Sequence, residues 1–331
     1  MSAVSAVSAV TPVPHPAPTR SLLVVELLGG FGDLLLALPA VHALAATHPG
    51  AEVTVLTFAP GAVLLAHDPA VHRVVATDDH ADGAPRRAVA AELARGHDLV
   101  VTTTTYDGIA DLCRAAGGRA VADLWRGAPP DQRVDRRFLQ LLVEAGEVAP
   151  THADQPLRVV LTDAERAAAR ALPTGDAPVV LVPGSGMPVK TWPRWAELVA
   201  ALGDRDVLST EPVPGARPLP PGDLRHLAAL LAVVGERGGV VVGGDTGPVR
   251  LATAVGTRAV ALHGPTAASR YGLDPRRGRA LQGLPDCTVR QPSAITEQEC
   301  WWSARCPLTG AAPACMADLG VEQVLAALAP A

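Results

Sequence analysis

Asparagine is absent from the 331 residues, and of the 28 lysines and arginines only Lys190 is a lysine. In a chain so rich in Ala, Arg, Gly and Pro, arginine has replaced lysine wherever either cation suffices. The surviving lysine marks a place where a compact ammonium and a planar guanidinium are not interchangeable, as at a tight phosphate site. No apolar run is long enough to span a bilayer, which excludes a membrane helix. A net charge of −5 and a pI near 6.0, with no concentrated basic face, exclude a nucleic-acid partner. The opening MSAVSAVSAVTPVPHPAPTR lacks the basic start and sustained apolar stretch of a secretory signal. Residues 1–20 therefore read as a disordered tail, and the chain reads as cytoplasmic.

What is present describes a globular protein of two domains, since 331 residues can build two separate cores. The apolar run Leu22 to Leu28 precedes a glycine turn and the helix-like stretch Leu34 to Ala46, interrupted by Pro39. Further strands are expected over Glu52 to Phe58, Val71 to Ala76 and Leu99 to Thr103. After a proline-containing stretch around Val148 to Pro156 the pattern restarts, with Leu157 to Leu161 and a charged helix over Asp163 to Leu172. Buried strands follow over Val179 to Val182, Asp206 to Ser209, Gly239 to Val242 and Ala259 to Leu262, each before a turn rich in Gly, Pro, Ser or Thr. Strands alternating with helices imply an α/β fold of two Rossmann-like halves facing across a cleft. The halves are expected at 21–156 and 157–331, with the last helix, Val321 to Leu328, able to pack back on the first.

Three turns carry the chemistry. Gly29-Gly30-Phe31-Gly32-Asp33 lies between strand and helix, where the carboxyl ends of parallel strands open into a binding crevice. It supplies only Gly-x-Gly-x-x-Leu, and the second strand ends on Thr57-Phe58 where a ribose hydroxyl would need a carboxylate, which argues against a nicotinamide site. Two roles fit Asp33: a helix cap, or a carboxylate that takes a proton from a hydroxyl. Pro183-Gly184-Ser185-Gly186, followed by Lys190, offers backbone N–H groups and a point charge to a diphosphate. It lacks the Gly-Lys-Ser/Thr order of a P-loop. Gly243-Gly244-Asp245-Thr246-Gly247-Pro248 opens another helix. There Thr246 and Gly247 can donate N–H groups to phosphate while Asp245 accepts from sugar hydroxyls, or the same residues simply cap the helix. His263-Gly264-Pro265-Thr266 ends the next strand beside the same crevice.

Cys287, Cys300, Cys306 and Cys315 follow in the last part of the chain, and Cys113 stands apart. No Cys-x-x-Cys pair occurs, so reduced thiols are expected in preference to a zinc site. Trp301-Trp302 beside Cys300 can pack against an acceptor or fill a domain seam, and burial at a seam is the expected role.

In this order and spacing, GGFGDLLLALPAVHAL, VPGSGMPVKTWPRWAEL and GGDTGPVRLATAVGTRAVALHGPT resemble glycosyltransferase family 9, whose best-known members are ADP-heptose:lipopolysaccharide heptosyltransferases. The resemblance runs from about Leu22 to Leu328. It implies the GT-B fold, inverting transfer without a required metal or other cofactor, and donor binding mainly in the second domain. Asp33 falls on the family's proposed base, with Gly29, Gly30 and Gly32 forming the acceptor-side loop around it. Lys190 falls on the phosphate-binding lysine, Ser185 and Gly186 on a phosphate-contacting pair, and Asp245, Thr246 and Gly247 on the donor loop. Glu211 matches a glutamate that touches the donor nucleoside. Arg250 departs from the histidine usual in the lipopolysaccharide enzymes, and an arginine there can bind the donor diphosphate or an acidic sugar. The implied partners are a nucleotide-diphosphate sugar, an ADP-sugar by resemblance, and a glycan, lipid-linked or small-molecule acceptor. A peripheral place at the inner face of the membrane is compatible with that acceptor range. A nucleotide-sugar epimerase and a non-catalytic nucleotide-sugar binding protein are the alternatives.

Overall fold

The computed structural model describes residues 18–78, 81, 83–171 and 174–329. The expected tail lies outside the described residues as far as residue 17. The runs LLVV, VVLV and AVAL are apolar on consecutive positions, as strands covered on both faces must be. They form the middles of two parallel sheets. The first has the order β3-β2-β1-β4-β5, with β1 at Ser21–Glu26, β2 at Glu52–Phe58, β3 at Arg73–Thr77, β4 at Leu99–Thr102 and β5 at Arg119–Ala122. The second has the order β11-β10-β9-β6-β7-β8, with β6 at Val179–Val182, β7 at Val207–Ser209, β8 at Arg217–Pro218, β9 at Val240–Gly244, β10 at Arg258–His263 and β11 at Gly278–Gln282. Every pairing in both sheets is parallel.

Strand order reverses between β1 and β4 in one sheet and between β6 and β9 in the other, which is where an open α/β sheet leaves a crevice beyond its strand ends. The three glycine turns follow β1, β6 and β9, so topology alone sends them to the two crevices. The helix after β1, Phe31–Thr47, runs through Pro39 without a break. Pro39 forgoes one backbone hydrogen bond, and the helix keeps its course because Leu34 to Leu44 are all buried. This helix also packs on Gly247–Ala254, the helix after β9, and one apolar cluster extends through both sheets. The two halves therefore meet through the very helices whose first turns carry Asp33 and Gly247.

Several expectations shift. Leu157 to Leu161 forms no regular element; it runs as a connector, with Val159 N–H donating to the Ala254 carbonyl at 3.0 Å. The helix after it spans Asp163–Ala169 and starts at a capping box of Thr162 and Glu165. The last helix, Val321–Leu328, packs on the second sheet through Trp195–Leu202 and β10, not back on the first. Its apolar face meets Leu198 and Leu262, and Arg258 donates to the carbonyls of Leu328 and Ala329. Among the described residues no helix is long and apolar enough to cross a membrane.

Candidate functional site

Asp33 stands in the first turn of Phe31–Thr47, but it is not the cap. Gly30 holds that position and no side chain bonds the free N–H groups there. The carboxylate instead folds back over the preceding turn. A Cβ added to Gly29 would lie 2.8 Å from Asp33 Oδ2, so a residue larger than glycine at 29 would push the carboxylate away. Burial raises its pKa to about 6; Lys190 pulls down, Asp245 pushes up and Arg250 pulls down. Every charge named there besides Asp33 comes from the turns and the helix that follow strands of the second sheet. The base candidate of the first half thus faces the cation candidates of the second.

A second carboxyl lies behind it. Glu26 ends β1 and is 1% exposed; it accepts from Leu28 N–H at 3.0 Å and from the Thr57 hydroxyl at 3.2 Å. Burial, then the nearby Asp33 charge, raise its pKa to about 8 against those two hydrogen bonds. That favours its neutral form at pH 7. Nothing in the sequence pattern marks the carboxyl chemistry of Glu26.

On the facing wall Asp245 directly follows β9. Burial opposes its charge, but Lys190, His263, Arg250 and the Thr266 hydroxyl outweigh it and hold the carboxylate well below the usual range. Lys190 Nζ lies 3.2 Å from Asp245 Oδ2 and 3.1 Å from the Asp245 carbonyl oxygen. Arg250 Nη2 donates to Asp245 Oδ1 at 3.2 Å and to the Tyr271 carbonyl at 2.7 Å. Arg250 therefore braces Asp245 through Nη2, a contact that its expected role toward the donor diphosphate or an acidic sugar did not include. Asp245, expected to accept from sugar hydroxyls, has both oxygens engaged by cations. His263 is fully buried, and burial holds its imidazole neutral, with its pKa lowered to about 4; Nδ1 sits 3.2 Å from the Thr266 hydroxyl.

Gly247–Ala254 begins without a side-chain cap: Thr246 is the N-cap, yet its hydroxyl makes no capping bond and is buried without a partner. The positive end of this helix is left for another acceptor. Gly247 must be glycine, because a Cβ there would strike the Phe31 ring, and a Cβ on Gly32 would lie 3.4 Å from Gly247 Cα. Gly32 thus serves the contact between the two helix starts. Gly30 has open space around it. In the loop after β6, the Ser185 hydroxyl turns back on Met187, donating to its carbonyl at 2.9 Å and accepting from its N–H at 3.1 Å, while Gly186 is exposed. Glu211, exposed after β7, lays its carboxylate across Gly184 where a side chain would otherwise sit. The assembly is a cleft with a raised-pKa carboxylate on one wall and two cations, an open helix N-terminus and a glycine loop on the other.

The five cysteines are free thiols, and among the described residues no group of three or more His, Cys, Asp or Glu is arranged to hold a metal ion.

Residues 214–283, which contain the DTG loop and β10, match the model of glycosyltransferase family 9 (heptosyltransferase). Over that stretch the chain resembles glycosyltransferase family 9. Its fold is GT-B. A family 9 glycosyltransferase from Veillonella parvula DSM 2008 superposes with a TM-score of 0.71 at 15% identity, over 93% of this chain and 95% of that one. The ADP-heptose lipopolysaccharide heptosyltransferase II of E. coli gives 0.64 at 19% identity, over 93% and 97%. An E. coli heptosyltransferase solved with ADP gives 0.59 at 19% identity, over 84% and 98%. No curated protein matches the chain by sequence.

Proposed function

We propose that this family 9-like chain moves a sugar from a nucleotide-diphosphate donor to an acceptor hydroxyl, inverting the anomeric carbon in one displacement without a bound metal. In this reading residues 21–156 present the acceptor and residues 157–331 hold the donor. The observation that carries it is the pairing across the cleft: a carboxylate poised near pKa 6 opposite Lys190 and an uncapped helix start. A general base works best when its pKa lies near the working pH, and Asp33 satisfies that. It draws the proton from the acceptor oxygen as that oxygen attacks. The departing diphosphate gathers negative charge at its bridging oxygen, where Lys190 and the N–H groups of Thr246 and Gly247 stabilise it. Glu211, across Gly184, is placed to meet the donor's nucleoside end. The donor is an ADP-sugar, heptose or a related sugar, because one E. coli neighbour was solved with ADP and another is an ADP-heptose lipopolysaccharide heptosyltransferase.

The test is nucleoside-diphosphate release from ADP-, GDP- and UDP-sugars, with and without glycan and lipid-linked acceptors. Release that depends on acceptor, with a new glycosidic product of inverted configuration, is the expected result. Conversion of the donor sugar without acceptor would make the protein an epimerase, and tight binding without turnover would make it a binding protein; either overturns the proposal.

A further inference from the structure

Trp301 lies far along the chain from the cleft motifs, yet it returns to the side of the one lysine. The short helix Glu299–Ser303 packs on the turn Pro188–Lys190, and Trp301, 7% exposed, clusters with Val189 and Cys300, with Met187 and Ile295 against them. Lys190 Nζ sits 5.2 Å from the centre of the Trp301 ring. The ammonium is thereby held between an aromatic face and Asp245.

We infer that Trp301 is a positioning residue for Lys190, fixing the ammonium at the donor diphosphate by a cation–π contact. The inference rests on the proposed role of Lys190. Its physical basis is charge accounting. Asp245 is one carboxylate shared between two cations, Lys190 and Arg250, so the three together keep one positive charge for an incoming anion. A second carboxylate on the other side of Lys190 would hold it as firmly but cancel that charge and compete with the diphosphate. An aromatic face attracts the ammonium without an anion's charge, and tryptophan does so best. It also walls off one side of a flexible four-carbon stem, so less side-chain freedom is lost when the ligand arrives. Trp302, by contrast, is 72% exposed with its Nε1 on the Thr296 carbonyl at 3.1 Å, so the two adjacent tryptophans divide into a positioning ring and a surface ring.

Because Lys190 is the chain's only lysine, isotope-labelled lysine gives a single side-chain NMR signal. A methylene and ammonium above an indole face resonate upfield of free lysine. The expected result is an upfield wild-type signal that moves to the free-lysine position in Trp301→Leu and stays partly shifted in Trp301→Phe. A signal unmoved by Trp301→Leu overturns the inference. The second measurement is calorimetric affinity for ADP, GDP and UDP. Trp301→Leu should weaken the best-bound nucleotide by roughly fivefold and Trp301→Phe by less. In a Lys190→Ala background Trp301→Leu should have no further effect; an undiminished effect there makes Trp301 a general packing residue and overturns the inference. If Lys190→Ala leaves nucleotide affinity unchanged, the donor role of Lys190 fails, and the NMR signal still decides whether Trp301 holds it. Should Trp301→Leu not fold, Trp301→Phe carries both measurements.

Discussion

Asp33 and Asp245 occupy matching places in the two halves of the molecule, each at a glycine turn between a central parallel strand and the helix after it, and they are tuned in opposite directions. On the first wall, among the described residues, no cation pairs with the carboxylate, so burial keeps Asp33 near pKa 6 against the weaker pull of Lys190 across the cleft, and Glu26 behind it lies near 8. On the second wall the same burial is overcome by Lys190 and Arg250 in direct contact, and Asp245 stays charged throughout the working range. The difference teaches what each wall is for. One trades protons; the other holds charge fixed.

The sharpest way to break that contrast is to remove proton acceptance from the first wall alone. Asp33→Asn should lower kcat by roughly 10²-fold or more while nucleotide affinity stays within about twofold, because Asn keeps the shape and loses the base. Wild-type kcat/KM should fall as pH drops through about 6, approaching tenfold per unit on the acid limb, since the base is lost by protonation. Normal turnover in the variant, or an acid limb far from 6, would remove Asp33 from the role. The next effect falls on the second wall. Asp245→Asn leaves the largely buried Lys190 and Arg250 without a counter-charge, which should cost roughly 3 kcal/mol of stability. Added ADP should then raise Tm more in this variant than in wild type, because a diphosphate replaces the missing anion. An equal ADP-induced shift in both proteins would mean that Asp245 is not the charge anchor of the wall.

This contrast is only half legible in the sequence. A continuous apolar run betrayed Val179–Val182 at its true limits, because a strand covered on both faces leaves a run that nothing else explains, and Glu52–Phe58 was legible from its β-branched and aromatic residues. The edge strands β5, β8 and β11 went unseen: β8 is two exposed residues, β5 is four residues opening on Arg119, and Arg279 interrupts β11. The glycine turns were legible because close approach demands glycine, as at Gly29 under the Asp33 carboxylate and Gly247 under the Phe31 ring. Partners were not legible, since they depend on distant segments. Arg250 stood out as a ligand for diphosphate or an acidic sugar; that its Nη2 also braces Asp245 and the Tyr271 carbonyl shows only in the fold. Trp301 read as seam filling, and burial is indeed its state; only the fold brings Lys190 over its ring.

The smallest effect on turnover, and the most specific check on the first wall, comes from Glu26. Its folded pKa of about 8 lies above the ordinary 4.5, so the native state binds a proton that the unfolded chain has already released. Stability should therefore be greatest below pH 4.5 as far as this group is concerned, and should decline as pH rises from there to about 8. By pH 7 the loss amounts to roughly 3 kcal/mol. Glu26→Gln copies the neutral form: its carbonyl can accept from Leu28 N–H and its amide can donate to a Thr57 hydroxyl turned as acceptor. The variant should gain Tm at pH 7 to 8, gain little near pH 4, and keep its turnover at pH 7 close to wild type, because Glu26 is already uncharged there. Chemical denaturation of both proteins across that range reads the sign directly. A Gln variant less stable than wild type at pH 8 would show that the folded protein holds Glu26 as a carboxylate, and the division between a proton-trading wall and a fixed-charge wall would fail at its deepest residue.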